Sequence, residues 1–247
     1  VTTAAILYHG EAEWTGKYMP MQKPARLLAE HQIDYDFLPQ DVFLERERYR
    51  TEVGQTLRVN GNAYQVLIVP TAQFITEAFA NTVTELQQAG FPVWFLAALP
   101  EGLCDCQDSS LLDKLKACTV VPVEDLVKGL LENNLLDISI SPASSWIRSL
   151  HYRYAEGGEL YYFINEGTEL YRGTIQLPSS GPCYAYNAWD NRLETVHAAQ
   201  EAETMQVNVE IEPLKSLLIV FDSDISSTMI TEPVQAAGKR TSLNDNW

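Results

Sequence analysis

The chain of 247 residues is poor in cysteine and contains no long apolar run. Its four cysteines, at positions 104, 106, 118 and 183, are too sparse for a disulfide-stapled domain, and their spacing repeats no zinc-ligand pair. This pattern favours a reducing compartment such as the cytoplasm. No stretch approaches the roughly 20 apolar residues that cross a bilayer, and no secretory leader opens the chain. We therefore expect no membrane partner and no structural metal.

Basic residues are also scarce. Seventeen Lys and Arg stand against 33 Asp and Glu, which gives a net charge of −16. Such a chain is repelled by nucleic acids and by anionic lipid surfaces, so we expect neither as a partner. Hydrophobic residues make up 46% of the sequence, enough to bury one or two real cores. The sequence begins at Val1 without Met, and we expect it to be part of a longer protein.

The first 140 residues alternate short apolar runs with helical patterns, which is typical of parallel strands joined by crossover helices. The predicted strands are 3–9, 33–38, 66–70, 92–96 and 119–121, and the predicted helices are 19–31, 74–89, 109–117 and 123–133. A turn at 60–62 predicts a hairpin, and an extended segment at 135–140 completes the alternation. The pattern predicts an α/β fold with an open, doubly wound sheet of the flavodoxin-like type.

The pattern changes after a stretch of small residues and proline at 141–145, which marks a boundary. The following extended runs are 147–154, 160–165, 171–177, 183–187, 192–196, 205–211 and 217–221. Their spacing predicts a small antiparallel β-sandwich, with a turn at 189–191. The expected organisation is an α/β domain at 1–143, a β-sandwich domain at 144–222 and a polar linker or tail at 223–247.

The loop after the first predicted strand is the most informative stretch, because open α/β sheets bind ligands where a strand passes to a helix. It contains His9, Glu11, Glu13 and Trp14. The two carboxylates and the indole invite a glycosidase interpretation, but neighbours on one loop rarely reach both sides of a scissile bond. We favour solvated carboxylates or a pair with Lys17. The four residues are candidate ligand or interface residues, without a catalytic role.

The same loop does not fit a nucleotide site. Five residues separate Gly10 from Gly16, where a Walker A loop has four, and Tyr18 replaces the magnesium-binding hydroxyl. The acidic side chains of the loop would also repel phosphate groups. We therefore expect no cofactor.

The sequence offers no activated nucleophile. A cysteine hydrolase on this scaffold places its nucleophile on the tight turn after a strand, but residues 97–99 after the strand at 92–96 contain neither Ser nor Cys. Cys104 and Cys106 come later, and no histidine lies between His31 and His151. His151 and His197 are predicted to be surface or satisfied histidines, because no second histidine or carboxylate shows ligand spacing.

Several stretches resemble the region that follows the catalytic barrel in family 42 β-galactosidases. In the α/β part they are 4–9 leading into 11–14, 23–28, 33–38 with 39–42, and 64–70. In the second part, 147–153, 159–165, the turn at 189–190, 211–214 and 217–221 resemble the β-sandwich of large glycoside hydrolases, the family 106 rhamnosidases among them. The resemblance implies a glutamine-amidotransferase-like domain without its catalytic residues that serves in oligomer formation.

The sequence analysis thus predicts a non-catalytic accessory or oligomerisation region of a glycoside hydrolase. The expected partners are the catalytic barrel of the same parent chain, further copies of the chain and, as a ligand, carbohydrate. Residues 243–247 resemble the first strand of a further sugar-binding module. Two alternatives stay open: an atypical cysteine-dependent amidohydrolase near His9, Glu11 and Cys104 or Cys106, and a carbohydrate-binding module that uses Trp14 or the Tyr-rich strands.

Overall fold

The computed structural model of the chain describes residues 1–107, 110–188, 191–222 and 230–231. These residues form a mixed α/β fold. A five-stranded parallel sheet lies in the first half, and a four-stranded and a six-stranded sheet of mainly antiparallel strands lie in the second half. None of the described helices is long and apolar enough to span a bilayer.

The elements of the first half follow one another in close alternation. Its strands are β1 (Ala4–Tyr8), β2 (Tyr35–Pro39), β3 (Leu57–Val59), β4 (Asn62–Tyr64), β5 (Val66–Val69), β6 (Phe74–Ile75), β7 (Val93–Leu96), β8 (Gly102–Leu103) and β9 (Thr119–Val121). Its helices are α1 (Ala12–Thr15), α2 (Gln22–Ala29), α3 (Asp41–Leu44), α4 (Arg46–Tyr49), α5 (Glu77–Gln88), α6 (Ser110–Leu115) and α7 (Leu126–Glu132), with a 3-10 turn at Val123–Asp125.

The parallel sheet has the strand order β2-β1-β5-β7-β9. All five predicted strands are present, within two residues at each end, and β3 and β4 form the predicted hairpin. The helix predicted from position 19 begins only at Gln22, because the backbone N–H of Met19 donates to Thr71 O at 2.7 Å. That bond ties the start of the segment to the loop after β5.

Helices cover both faces of the parallel sheet. Along β1, Ala5 and Leu7 point into a core shared with α5, whereas Ala4 and Ile6 point into a core shared with α2 and α7. Because successive side chains of a strand point to opposite faces, a strand packed on both sides is apolar throughout. The four buried residues Val66–Val69 of β5 show this pattern in the middle of the sheet.

The second half is built almost entirely from strands. They are β10 (Ser139–Ser141), β11 (Ile147–Arg153), β12 (Glu159–Asn165), β13 (Tyr171–Leu177), β14 (Cys183–Asn187), β15 (Arg192–Thr195), β16 (Ala198–Glu201), β17 (Thr204–Ile211), β18 (Ser216–Phe221) and β19 (Ile230–Thr231). One sheet has the order β10-β13-β17-β16, and the other has the order β11-β12-β18-β14-β15-β19.

This half differs from the sequence-based prediction in several strands, and some of the predicted features lie outside the described residues. The extended segment predicted to complete the α/β alternation forms β10, which pairs with β13 in the second half. The fully exposed β16 was not predicted, because it has no apolar alternation. In the predicted tail, β19 pairs with β15, while residues 189–190 of the predicted turn and the resemblance at 243–247 lie outside the described residues.

The four-stranded and six-stranded sheets of the second half share one core. Tyr161 and Phe163 of β12 pack in the same buried cluster as Ile175 of β13 and Val207 of β17. On the opposite face of the six-stranded sheet, the register aligns two apolar rows of three residues across β11, β12 and β18. We call these rows the outer face: Leu150, Tyr162 and Leu218, and Tyr152, Leu160 and Val220.

The first half contacts the free edge of β11. The side-chain amide of Gln32 donates to Ile147 O at 2.6 Å, and the Ser149 hydroxyl donates to Gln32 O at 3.4 Å. The amino group of Val1 also donates to the carbonyl of His151. These contacts satisfy backbone groups of an edge strand that would otherwise be open to pairing with another chain.

Candidate functional site

The candidate residues lie at the carboxyl end of the parallel sheet, where neighbouring strands end together. β1 ends at Tyr8 and passes through His9 and Glu11 into α1. The end of β2 brings Gln40 to the same edge, and the segment after β6 brings Thr76. This is the edge at which open α/β sheets bind ligands.

His9 is buried, with 9% of its surface exposed, and both ring nitrogens have no hydrogen-bond partner. Its ring packs against Phe79 with 6.3 Å between centroids, and its Nε2 lies 3.9 Å from Glu11 Oε2. Burial lowers the pKa of His9, and the Glu11 carboxylate offsets this only in part. The imidazole is therefore held neutral at physiological pH.

Glu11 is positioned by a chain of two hydrogen bonds. Gln40 Nε2 donates to Glu11 Oε2 at 3.2 Å, and the Thr76 hydroxyl donates to Gln40 Oε1 at 2.8 Å. Thr76 also caps α5 by accepting from the N–H of Phe79. Of the two expected alternatives, solvation or a pair with Lys17, the structure shows a half-exposed Glu11 carboxylate that also contacts Gln40. The sequence did not point to Gln40 or Thr76, because they come from separate strand ends.

The four predicted residues divide between two neighbouring spaces. His9 and Glu13 line a small cavity of about 20 Å³ together with Tyr8, Tyr18 and Thr71. Glu11 and Trp14 line a larger open cleft of about 340 Å³. Tyr8 borders both spaces, which are therefore neighbours. We call the larger space the α1 cleft, with the lining Tyr8, Gly10, Glu11, Trp14, Pro39, Gln40 and Asp41.

The sharp bend after β7 is occupied by Ala97. This exposed residue has a φ of 64°, in the left-handed region, and its N–H donates to Val121 O at 2.9 Å. A left-handed conformation costs a residue with a Cβ about 1 to 2 kcal/mol. In hydrolases with a nucleophile elbow, the reactive side chain occupies such a strained turn after a strand. Here the side chain is a methyl group.

Cys104 shows no sign of activation. Burial raises the pKa of its thiol, and the neighbouring Asp105 carboxylate raises it further. A reactive cysteine needs the opposite shift, because the thiolate is the nucleophile. The cysteine-dependent hypothesis therefore finds no support in the electrostatics of this thiol.

A second polar cluster lies in the β-rich half, around His151. Its side chain is only 1% exposed, and Nδ1 lies 2.5 Å from Asp137 Oδ2. Nε2 lies 3.5 Å from Glu159 Oε2, and the ring stacks on Tyr161 at 4.1 Å between centroids. His151 is therefore enclosed by two carboxylates. Of the two predicted alternatives, a surface or a satisfied histidine, the structure shows a buried histidine whose Nδ1 has a carboxylate partner.

Hydrogen bonds to Glu159 extend this cluster. Burial raises the pKa of Glu159, but hydrogen bonds donated by Ser179, Arg153 and Tyr161 outweigh burial, so the pKa lies below its usual range. Burial also raises the pKa of Tyr161, which keeps its hydroxyl protonated as a donor. The strand register accounts for part of this cluster, because His151 lies directly opposite Tyr161 in the β11–β12 pair.

Within the described part of the chain, no group of three or more His, Cys, Asp or Glu side chains is arranged to hold a metal ion. The carboxylates around His151 contact different ring nitrogens and do not converge on one point. Their arrangement ties β11 and β12 to the segment before β10.

The sequence matches no protein-family model and no curated protein. Solved structures, by contrast, share its fold over nearly the whole chain. A rhamnosidase from Novosphingobium sp. PP1Y is similar over 100% of this chain and 24% of its own, with a TM-score of 0.68 and 16% identity. A family 42 β-galactosidase from G. stearothermophilus is similar over 90% and 40%, with a TM-score of 0.57 and 10% identity.

An α-L-fucosidase isoenzyme from Paenibacillus thiaminolyticus is similar over 89% of this chain and 48% of its own, with a TM-score of 0.53 and 12% identity. At these identities the likeness concerns the fold. The chain spans between 24% and 48% of the length of these three proteins. It thus has the fold of a part of several glycoside hydrolases.

Proposed function

We propose that this chain is a non-catalytic accessory region of a glycoside hydrolase. Its parallel sheet is assigned to the flavodoxin-like type, because the order β2-β1-β5-β7-β9 is the order 2-1-3-4-5 counted over the parallel strands alone. The four-stranded and six-stranded sheets of the second half, whose inner faces share one core, are assigned to a small β-sandwich.

The observation that carries this proposal is Ala97 at the strained turn after β7. The turn has the left-handed φ that an elbow requires, and it bears a side chain that cannot attack a substrate. Cys104, one of the two thiols of the rival hypothesis, has a raised pKa. The turn after β7 thus lacks the nucleophile that a hydrolase on this scaffold would place there.

The proposed task of this region is assembly, both with the catalytic barrel of the same parent chain and between copies. Support comes from the outer face. Its two rows contain only Leu, Tyr and Val, although the chain carries a net charge of −16. Leu150 and Tyr152 are about half exposed. An uncharged apolar patch on an acidic protein is typical of an interaction surface.

We expect the purified chain to self-associate through the outer face, and Leu150→Lys to weaken that association at least tenfold. A charge at the centre of an interface is left without water or a partner, which costs more than the about 1.4 kcal/mol that a tenfold change requires. Leu131→Lys is the matched control, because Leu131 on α7 is 51% exposed and Leu150 is 50% exposed. Sedimentation equilibrium over a range of concentrations measures the effect.

A chain that stays monomeric at every concentration would contradict assembly between copies. Equal weakening by Leu150→Lys and Leu131→Lys would contradict the role of the outer face. Circular dichroism of each variant checks that the fold is retained.

A further inference from the structure

The α1 cleft combines a concave shape with an exposed aromatic side chain. Its volume of about 340 Å³ lies within the range of small-ligand sites, about 300 to 1,000 Å³. Trp14 on one side is 88% exposed, and Tyr8 on the other side is 44% exposed. An indole this exposed contributes almost nothing to folding, because its apolar surface stays in water. Flat aromatic surfaces of this kind pack well against the C–H face of a sugar ring.

The polar groups of the cleft are held in place before any ligand arrives. The Gln40 amide donates a hydrogen bond to the Glu11 carboxylate, and the Thr76 hydroxyl donates one to the Gln40 carbonyl. Because the carboxylate is already held, it loses little further conformational freedom when a ligand binds. Asp41 lies exposed at the rim of the same cleft. Both carboxylates are acceptors, and neutral sugars present many hydroxyl donors.

The small cavity that shares Tyr8 with the cleft is lined by a buried polar side chain. His9 lines it, is about nine-tenths buried and has two unpartnered ring nitrogens. Buried polar groups in proteins almost always have a partner, and one without a partner costs free energy. A volume of about 20 Å³ admits one water molecule or one hydroxyl group. The cavity thus has room for one small polar group beside the α1 cleft, with which it shares Tyr8.

The acidic side chains around the cleft restrict the charge that its ligand can carry. Glu11, Glu13 and Asp41 surround the two spaces, and among the residues that the structure describes no Lys or Arg lines either of them. In a chain of net charge −16, such an environment repels sulfate and carboxylate groups. The chemistry favours an uncharged polyhydroxyl ligand over an anionic one.

We propose that the α1 cleft binds a neutral saccharide, with Trp14 against the sugar ring and Glu11 accepting hydrogen bonds from its hydroxyls. This inference rests on the proposed function, since a region that assists a glycoside hydrolase meets saccharide chains. The cleft retains a substrate chain near the enzyme without cleaving it. The concave shape and the fixed carboxylate favour this ligand over a protein partner for Trp14.

The test is calorimetric titration of the whole chain with methyl galactoside, methyl rhamnoside, methyl fucoside and a neutral galactose trisaccharide. At least one of these probes is expected to bind, and galactose 6-sulfate is expected to bind at least tenfold more weakly. Trp14→Ala is expected to lower the affinity about tenfold, and Glu11→Gln is expected to lower it several-fold. Trp146→Ala is the matched control, because Trp146 is 60% exposed on the β-rich half.

Absence of heat with every neutral probe at millimolar concentrations would overturn the inference. So would equal losses with Trp14→Ala and Trp146→Ala, or preferential binding of the sulfated sugar. Sedimentation of the same samples separates this inference from the proposed function. Trp14→Ala that weakens self-association and leaves sugar binding intact would mark Trp14 as a protein contact, against the cleft but in favour of assembly.

Discussion

Replacement of His151 by alanine is expected to lower the free energy of unfolding by about 3 to 5 kcal/mol. The imidazole lies between the Asp137 and Glu159 carboxylates, at 2.5 and 3.5 Å, and it stacks on Tyr161. Its removal leaves the Asp137 carboxylate facing a cavity without its hydrogen-bond partner, whereas Glu159 keeps the hydrogen bonds from Ser179, Arg153 and Tyr161. Removal of one member of a buried pair costs more than the pair itself contributes, because the remaining charge stays desolvated.

Urea unfolding followed by circular dichroism measures this loss. His197→Ala is the matched control, because His197 is exposed and donates no side-chain hydrogen bond among the described residues. We expect that variant to stay within about 0.5 kcal/mol of the parent chain. A His151→Ala variant that loses less than about 1 kcal/mol would show that the cluster does not hold β11 and β12 in place.

Replacement of Phe79 by alanine is expected to cost about 3 to 5 kcal/mol as well, through a cavity. Phe79 is 1% exposed on α5, and its ring packs against Phe43 at 6.2 Å and against His9 at 6.3 Å. The substitution therefore also removes the support of the His9 ring. We expect the loss of stability to be accompanied by weaker binding in the neighbouring α1 cleft.

The matched control is Phe37→Ala. Phe37 on β2 is 39% exposed, so its truncation removes less buried surface and leaves no closed cavity. Thermal or urea unfolding of the two variants under the same conditions compares their free energies. Equal losses in both variants would contradict the assignment of Phe79 to the core under the candidate site.

The parallel sheet was predictable because its strands are buried on both faces. A run such as 66–69 is apolar at every position, which a single sequence shows directly. The β3–β4 hairpin was predictable from Asn60 and Gly61, whose φ angles of 51° and 90° match the turn that these residues favour. Local backbone chemistry suffices for such elements.

Elements that depend on distant partners were not predictable in the same way. β10 is only three residues long, and its sheet is chosen by pairing with β13, which lies beyond the predicted boundary. All four residues of β16 are exposed, and the strand is held only by its backbone pairing with β17. Sequence periodicity does not encode a pairing choice for strands this short.

In the candidate site, too, the local features were predictable from the sequence and the contacts between distant segments were not. The loop residues His9, Glu11 and Trp14 were found from their position after a strand. The hydrogen-bond chain through Gln40 and Thr76, which fixes Glu11, required the tertiary structure. The His151 cluster was missed for the same reason, because Asp137 approaches from a segment outside the β11–β12 pair.

The most direct test of the account is a hydrolysis assay on the purified chain with nitrophenyl galactoside, rhamnoside and fucoside, and with glutamine. We expect no turnover above the buffer blank, and no difference among the parent chain, Glu11→Ala and Cys104→Ala. Turnover by the parent chain that disappears with either substitution would contradict the central claim that this region assists a hydrolase without being one.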